Sequence, residues 1–225
     1  MKYFYQVCKE KSFLFLVVPF LLVSLFLLIF YGKGPSHLLV NQWNSPITDI
    51  FFKYVTHLGD GAVFAIVILV LAFVRFRWAL YELFAALITL IFVFIAKQLI
   101  FKGAPRPIAF FENDETLHLV EGVKMHSWNS FPSGHTITAF AIFVTLVLIA
   151  KNNYLKTLFM LIAVLAGFSR VYLSQHFLGD IISGAVIGIF IAIASCTIVD
   201  NWALFKKGNW IDKNLLELFE KKHEQ

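Results

Sequence analysis

The chain is 225 residues long, 59% hydrophobic, with 26 phenylalanines and a formal net charge of +5. Soluble domains use about 45–50% apolar residues, so a water-soluble globule is excluded and an integral membrane protein is expected. The basic residues are dispersed between apolar runs instead of gathered on one face, which excludes a nucleic-acid surface and makes them markers of topology.

Apolar runs of about 20 residues cross a bilayer as helices, and the sequence predicts six, at about 13–31, 61–75, 79–101, 136–151, 154–172 and 177–198. The first is too long for a signal-peptide core and no A-x-A site follows it, so it is expected to be a retained span. After it "GKGPS" breaks the helix. Ile47, Ile50, Phe51, Tyr54, Val55 and Leu58 then recur at helical spacing around Asp49 and Lys53, which predicts a helix over 47–58 lying in the interface.

The third run leads through "KQLIFKGAPRP" into a loop reaching about residue 135. Loops of that length are commonly functional, and Phe110, Phe111 and Trp128 predict that this one packs. The stretch from Lys206 to Gln225, with Leu215, Leu216, Leu218 and Phe219 among charges, reads as an amphipathic helix. Cys8 and Cys196 stand near opposite ends without framework spacing, which points to packing and away from a disulfide or zinc site. The expected fold is all-α: one domain over 1–225, an integral membrane bundle of six transmembrane helices with a tail at 199–225 and no internal repeat.

Alternating spans place Lys2, Lys9, Lys11, Arg75, Arg77, Lys151, Lys156, Lys206, Lys207, Lys213, Lys221 and Lys222 on one side, twelve of the 19 basic residues. The positive-inside rule makes that side cytoplasmic. Three clusters then reach the opposite face: Lys97 with Arg106 and Pro107; Ser133, Gly134 and His135; and Ser169, Arg170, His176 and Asp180.

In "SRVYLSQHFLGD" His176 and Asp180 are four residues apart, which predicts one helical face, so the carboxylate can accept the Nδ1 proton and leave Nε2 as a free lone pair. That is how a histidine nucleophile or base is oriented. Lys97, Arg106 and Arg170 add cations to an apolar protein, where each costs about 2.5–3.5 kcal/mol at mid-membrane, so an anion is needed to hold them together. Arginine forks grip tetrahedral oxyanions in bidentate fashion, which selects phosphate. In "PSGH" Pro132 sets up a helix start, Ser133 suits the N-cap, Gly134 bares the first N–H groups, and His135 stands where a proton can be given to a leaving oxygen. No carboxylate cluster is available for Mg²⁺, so neither metal nor cofactor is expected.

These residues resemble the phosphatidic acid phosphatase type 2 superfamily of membrane lipid phosphatases and related haloperoxidases. The likeness covers about 50–198, carried by "PSGH", by "SRVYLSQHFLGD" and by a lysine ahead of Arg106-Pro107. The first motif departs: the family usually has six residues between the lysine and the arginine, whereas eight separate Lys97 from Arg106, and Lys102 stands closer. The resemblance implies metal-independent, two-step hydrolysis of a phosphorylated membrane lipid at the outer face of a bacterial inner membrane. His176 would attack phosphorus, Asp180 orient it, and His135 protonate the leaving oxygen and later activate water. Lys97, Arg106, Ser133, Gly134 and Arg170 would hold the phosphate oxygens. His57, Asp60, His118, Glu121 and His126 are expected to be structural or interfacial, with contact to the lipid head group as the lesser alternative. The competing reading is a non-enzymatic anion or lipid transporter, which symmetric broken helices would favour; a vanadate-dependent oxidase is a third.

Overall fold

A computed structural model describes residues 2–112, 117–202 and 209–217, and among them the secondary structure is entirely helical. The tail residues Lys206, Lys207, Leu218, Phe219, Lys221 and Lys222 lie outside the described residues. In chain order the helices are α1 (Lys2–Lys9), α2 (Val18–Tyr31, entered through a π-helical turn at Phe13–Val17), α3 (Lys33–Asn41) and α4 (Pro46–Val55, continued by a 3-10 turn at Thr56–Gly59). There follow α5 (Gly61–Val74), α6 (Phe76–Ile95, extended by a π-helical turn at Ala96–Ile100), α7 (Pro107–Phe110), α8 (Gly134–Ile149), α9 (Asn153–Tyr172) and α10 (Leu178–Asn201).

Four helices are long and apolar enough to cross a membrane: Phe13–Tyr31, Phe76–Ile100, Asn153–Tyr172 and Leu178–Asn201. Pro46–Gly59 and Gly61–Val74 together would make a fifth, bent by 60°. The expected fourth span is α8, which is apolar but only 16 residues long. At about 1.5 Å per residue it reaches about 24 Å, short of a hydrocarbon core about 30 Å thick. It is also the central helix, with twelve of its residues buried against α9, α10, α6 and α5. The chain departs from expectation after α2 as well. "GKGPS" does end that helix, at Gly32, but the same residues open α3, because proline is tolerated in a first turn where its missing N–H has no partner to lose.

The outer helices present apolar side chains outward, among them Leu22 and Phe30 of α2, Ile66 and Leu69 of α5 and Leu87 and Leu90 of α6. The core is gathered on α8, where Ile137, Phe140, Ile142 and Val144 are fully buried. Its partner α10 carries Gly184 and Gly188 one turn apart, and a Cβ at these positions would stand 2.9 Å from the Ser133 carbonyl and 2.6 Å from the Ile137 carbonyl. Glycine is therefore what lets the two backbones touch, the small-x-x-x-small geometry of membrane helix pairs.

Polar side chains lock the ends of the bundle. Asp200 accepts from Tyr3, from Tyr81 (2.6 Å) and from Arg77 (3.1 Å), and Arg77 reaches Asp212 as well (2.8 Å). At the other end Asp49 meets His118 (2.9 Å) and Tyr172, which ties the long loop to α4 and α9. Cys196 is buried as expected of a packing residue, whereas Cys8 is exposed.

Candidate active site

The start of α8 is built as its residues dictate. Ser133 caps the helix, its Oγ accepting from Thr136 N–H at 3.4 Å. Its own N–H donates to the Asp180 carbonyl at 3.1 Å, so the first turn of α8 is fastened to the first turn of α10. The chain leaving α9 curls back on itself: the N–H groups of Gln175 and His176 both donate to the Arg170 carbonyl, at 2.9 and 3.0 Å. This curl sets His176 beside Arg170 although six positions separate them.

His176 and Asp180 do meet, with Nδ1 3.3 Å from Oδ2, but not on a helical face. Phe177 is the N-cap of α10 and His176 lies outside the helix. Asp180 occupies the third helical position, where its carboxylate turns back to accept from Phe177 N–H at 3.0 Å, and the same oxygen then faces the imidazole. Ser130, absent from the sequence expectations, donates its hydroxyl to that Asp180 oxygen and lies 3.5 Å from His176 Nδ1. With Nδ1 so occupied, Nε2 is left for the cavity. The imidazole is 1% exposed, and this burial pushes its pKa well below the ordinary histidine value.

A cavity of about 680 Å³ brings the sequence clusters together: His176, His135, Gly134, Arg170, Arg106 and Lys97 all line it. The Lys97 ammonium approaches the start of α8, since a Cβ on Gly134 would lie 3.9 Å from Nζ. Lys102 does not line the cavity. The π-helical turn Ala96–Ile100, which carries Lys97, and the turn after it take up part of the long spacing to Arg106. Ser133 sits just behind the lining, fully buried.

Both guanidinium groups are held from behind. Arg106 donates Nε to the Trp128 carbonyl (2.9 Å) and Nη1 to the Gln175 side-chain oxygen (3.1 Å), which leaves Nη2 outside these bonds. Burial, opposed by the Asp180 charge, lowers the pKa of Arg106. Arg170 donates Nη1 to Thr56 Oγ1 at 2.6 Å, while its buried Nε has no partner among the described residues. A buried N–H of a charged group without an acceptor is costly, and an anion in the cavity would satisfy it.

Several residues expected to be incidental line the same cavity: His57, Asp60 and His126. Burial, then the nearby charges of Arg106 and Lys124, lower the pKa of His126. Asp60 Oδ1 lies 2.7 Å from His135 Nε2 and its other oxygen 2.7 Å from His57 Nδ1. His118 and the Glu121 side chain do not line it; the Glu121 carbonyl accepts from Lys53. Trp128 contributes its backbone, its side chain being exposed. The neighbourhoods of Thr56, Ser130 and Gln175 carry no spacing signal, because each reaches the site through tertiary packing. Among the described residues no group of three or more histidine, cysteine or carboxylate side chains could hold a metal ion.

The PAP2 superfamily model matches residues 78–203, more than half of the chain. The chain belongs to the PAP2 superfamily. The crystal structure of Aquifex aeolicus LpxE is similar to it at a TM-score of 0.65 and 29% sequence identity, over 73% of this chain and 94% of that one. A lipid A 4'-phosphatase of Bacteroides thetaiotaomicron is 33% identical over 60 residues, 27% of each chain, so the likeness spans about a quarter of that curated relative. The superfamily match contains the residues from Lys97 to Asp180 and leaves out the segment from Thr56 to Asp60.

Proposed function

We propose that this PAP2 protein is a membrane lipid phosphatase that cleaves a phosphomonoester or diphosphate head group through a phosphohistidine at His176. The observation that carries the reading is a single cavity in which the His176–Asp180 pair, His135 and three cations converge on the N-terminus of α8. Phosphate oxygens fit the open donors: Arg170 Nε, the unused edge of Arg106, Lys97 Nζ and the first N–H groups of α8. His176 Nε2 attacks phosphorus and the bond to the leaving oxygen breaks as His135 gives that oxygen a proton. Water, losing a proton to His135, then cleaves the N–P bond and frees His176.

A lipid substrate is supported by the cavity wall, where Phe64, Leu90 and Val93 of α5 and α6 adjoin the polar floor. Leu90 is also exposed on the outside of the bundle, so an acyl or isoprenyl chain would remain among apolar side chains while its head group enters. The likeness to a lipid A 4'-phosphatase makes lipid A the first substrate to test. We read the bundle as six spans, with α8 the fourth and shielded from lipid by its neighbours. The charge bias supports the cavity opening away from the cytoplasm, in a bacterial inner membrane. A transporter is the weaker reading, because it gives no role to a buried, oriented histidine nucleophile.

Purified protein should release phosphate from at least one of lipid A, phosphatidate, phosphatidylglycerophosphate and undecaprenyl diphosphate, with turnover unchanged in EDTA. Failure on all four, or activity abolished by EDTA and restored by Mg²⁺, would reject it.

A further inference from the structure

The segment Thr56–Asp60 contributes four residues to the cavity lining, Thr56, His57, Gly59 and Asp60, and the phosphatase reading gives Asp60 no role. Thr56 holds Arg170, and Gly59 is pressed against the backbone of His135: a Cβ at Gly59 would stand 2.7 Å from the His135 carbonyl. Only a glycine permits that approach, and it fixes the next residue, Asp60, beside the His135 ring. Asp60 stands at the N-cap of α5, where an aspartate ordinarily accepts from the helix's own free N–H groups. It makes no such bond. Its carboxylate instead lies between two imidazoles, 2.7 Å from His135 Nε2 and 2.7 Å from His57 Nδ1, at the 60° bend joining α4 to α5.

We propose that Asp60 is a positioning carboxylate for His135, giving the acid–base histidine a partner of its own as Asp180 serves the nucleophile. The inference rests on the phosphatase reading for its catalytic consequence. A carboxylate at Nε2 favours the tautomer with the proton on Nε2 and directs Nδ1 to the substrate. When His135 carries both protons, Asp60 stabilises the imidazolium across the 2.7 Å contact. As the His176 Nε2–phosphorus bond forms and the phosphorus–oxygen bond breaks, the Nδ1 proton of His135 passes to the leaving oxygen. His135 is then neutral with its Nε2 proton still against Asp60. In the second step Nδ1 takes a proton from the water that attacks phosphorus, as the N–P bond breaks.

An acid catalyst matters for an alkoxide and little for a leaving group that is stable as an anion. The test compares Asp60→Asn with the intact protein on an alkyl phosphate, lysophosphatidate, and on p-nitrophenyl phosphate. The variant should lose about a hundredfold or more in kcat/KM on the alkyl ester and less than about fivefold on the nitrophenyl ester. Equal losses on both would make Asp60 merely structural, and no loss on either would remove it from the mechanism; both overturn the proposal. ¹⁵N NMR of labelled histidines, with the His135 signal assigned by its disappearance in His135→Gln, reads the tautomer without turnover. The intact protein should show His135 protonated at Nε2, and Asp60→Asn should lose that preference while His176 keeps its own signal. The same His135 tautomer in both proteins overturns the inference even if the enzyme is active. Inactivity of the intact protein on every lipid would instead count against the phosphatase reading.

Discussion

At Arg170 one guanidinium nitrogen bonds Thr56 and another, buried, has no acceptor among the described residues. A lysine there keeps the charge but cannot bond Thr56 and a phosphate oxygen through one rigid plane. Arg170→Lys should therefore lower kcat/KM about ten- to a hundredfold, in line with about 1.5–3 kcal/mol for a hydrogen bond to a charged group. Unchanged kcat/KM would show that Arg170 does not grip the substrate. His176 yields a pH prediction. Burial lowers its pKa, so the neutral, nucleophilic form persists as pH falls through the ordinary value of about 6.5 and is lost only well below it. The acid limb of kcat/KM on p-nitrophenyl phosphate should not begin there; a tenfold fall per pH unit setting in at about pH 6.5 in the intact protein would contradict it. The pairing of His176 with Asp180 was legible from four-residue spacing, but for the wrong local reason. Spacing does not distinguish a helical face from a side chain folding back across a helix N-terminus, and Ser130 could not be seen because it comes from a distant loop.

At the scale of elements, the contact between α8 and α10 decides whether the two histidine motifs stay in register. A methyl group on Gly184 would press on Ser133 and Thr136, and one on Gly188 on Ile137 and Phe140. The obstructing atoms include backbone carbonyls, which yield little. Gly184→Ala and Gly188→Ala should each destabilise by about 1–3 kcal/mol, the usual cost of overpacking, read as a lower unfolding temperature in detergent. Gly184→Ala should also lower turnover, because the displaced carbonyl belongs to Ser133. The helices were legible in the sequence wherever long apolar runs met polar breaks. α3 was not, because its proline and glycine suggested only a break; the break at Asp60 was, since the helix expected over 47–58 ends just before the run from 61, and the two helices there meet at 60°. The irregular first motif left Lys97 and Lys102 both open, and the cavity favours Lys97. Lys97→Ala should accordingly cost far more activity than Lys102→Ala, and the reverse order would move the phosphate contact to Lys102.

For the molecule as a whole, the central question is which way the cavity faces. Cysteine labelling in intact cells decides it, once the exposed Cys8 is replaced by serine. Gln42, exposed after α3, probes the side on which the reading places the cavity. Lys151, exposed between α8 and α9, probes the opposite side. An impermeant reagent should mark Gln42→Cys and spare Lys151→Cys; the opposite pattern would invert the topology. Glu82 poses a different whole-molecule problem, being fully buried with neither carboxylate oxygen partnered among the described residues. It lies in the first turns of α6, away from the cavity lining. An unsatisfied buried polar group costs about 1–3 kcal/mol, so Glu82→Met should raise the unfolding temperature without changing turnover, and a fall in either would reveal an unrecognised role.

The most direct test of the central claim is to trap the covalent enzyme. With a ³²P-labelled phosphomonoester and rapid quenching in alkali, label should appear on the peptide containing His176, stable to base and lost in acid. It should be absent from His176→Ala. Turnover without bound label, or label on any other residue, would contradict a phosphohistidine at His176.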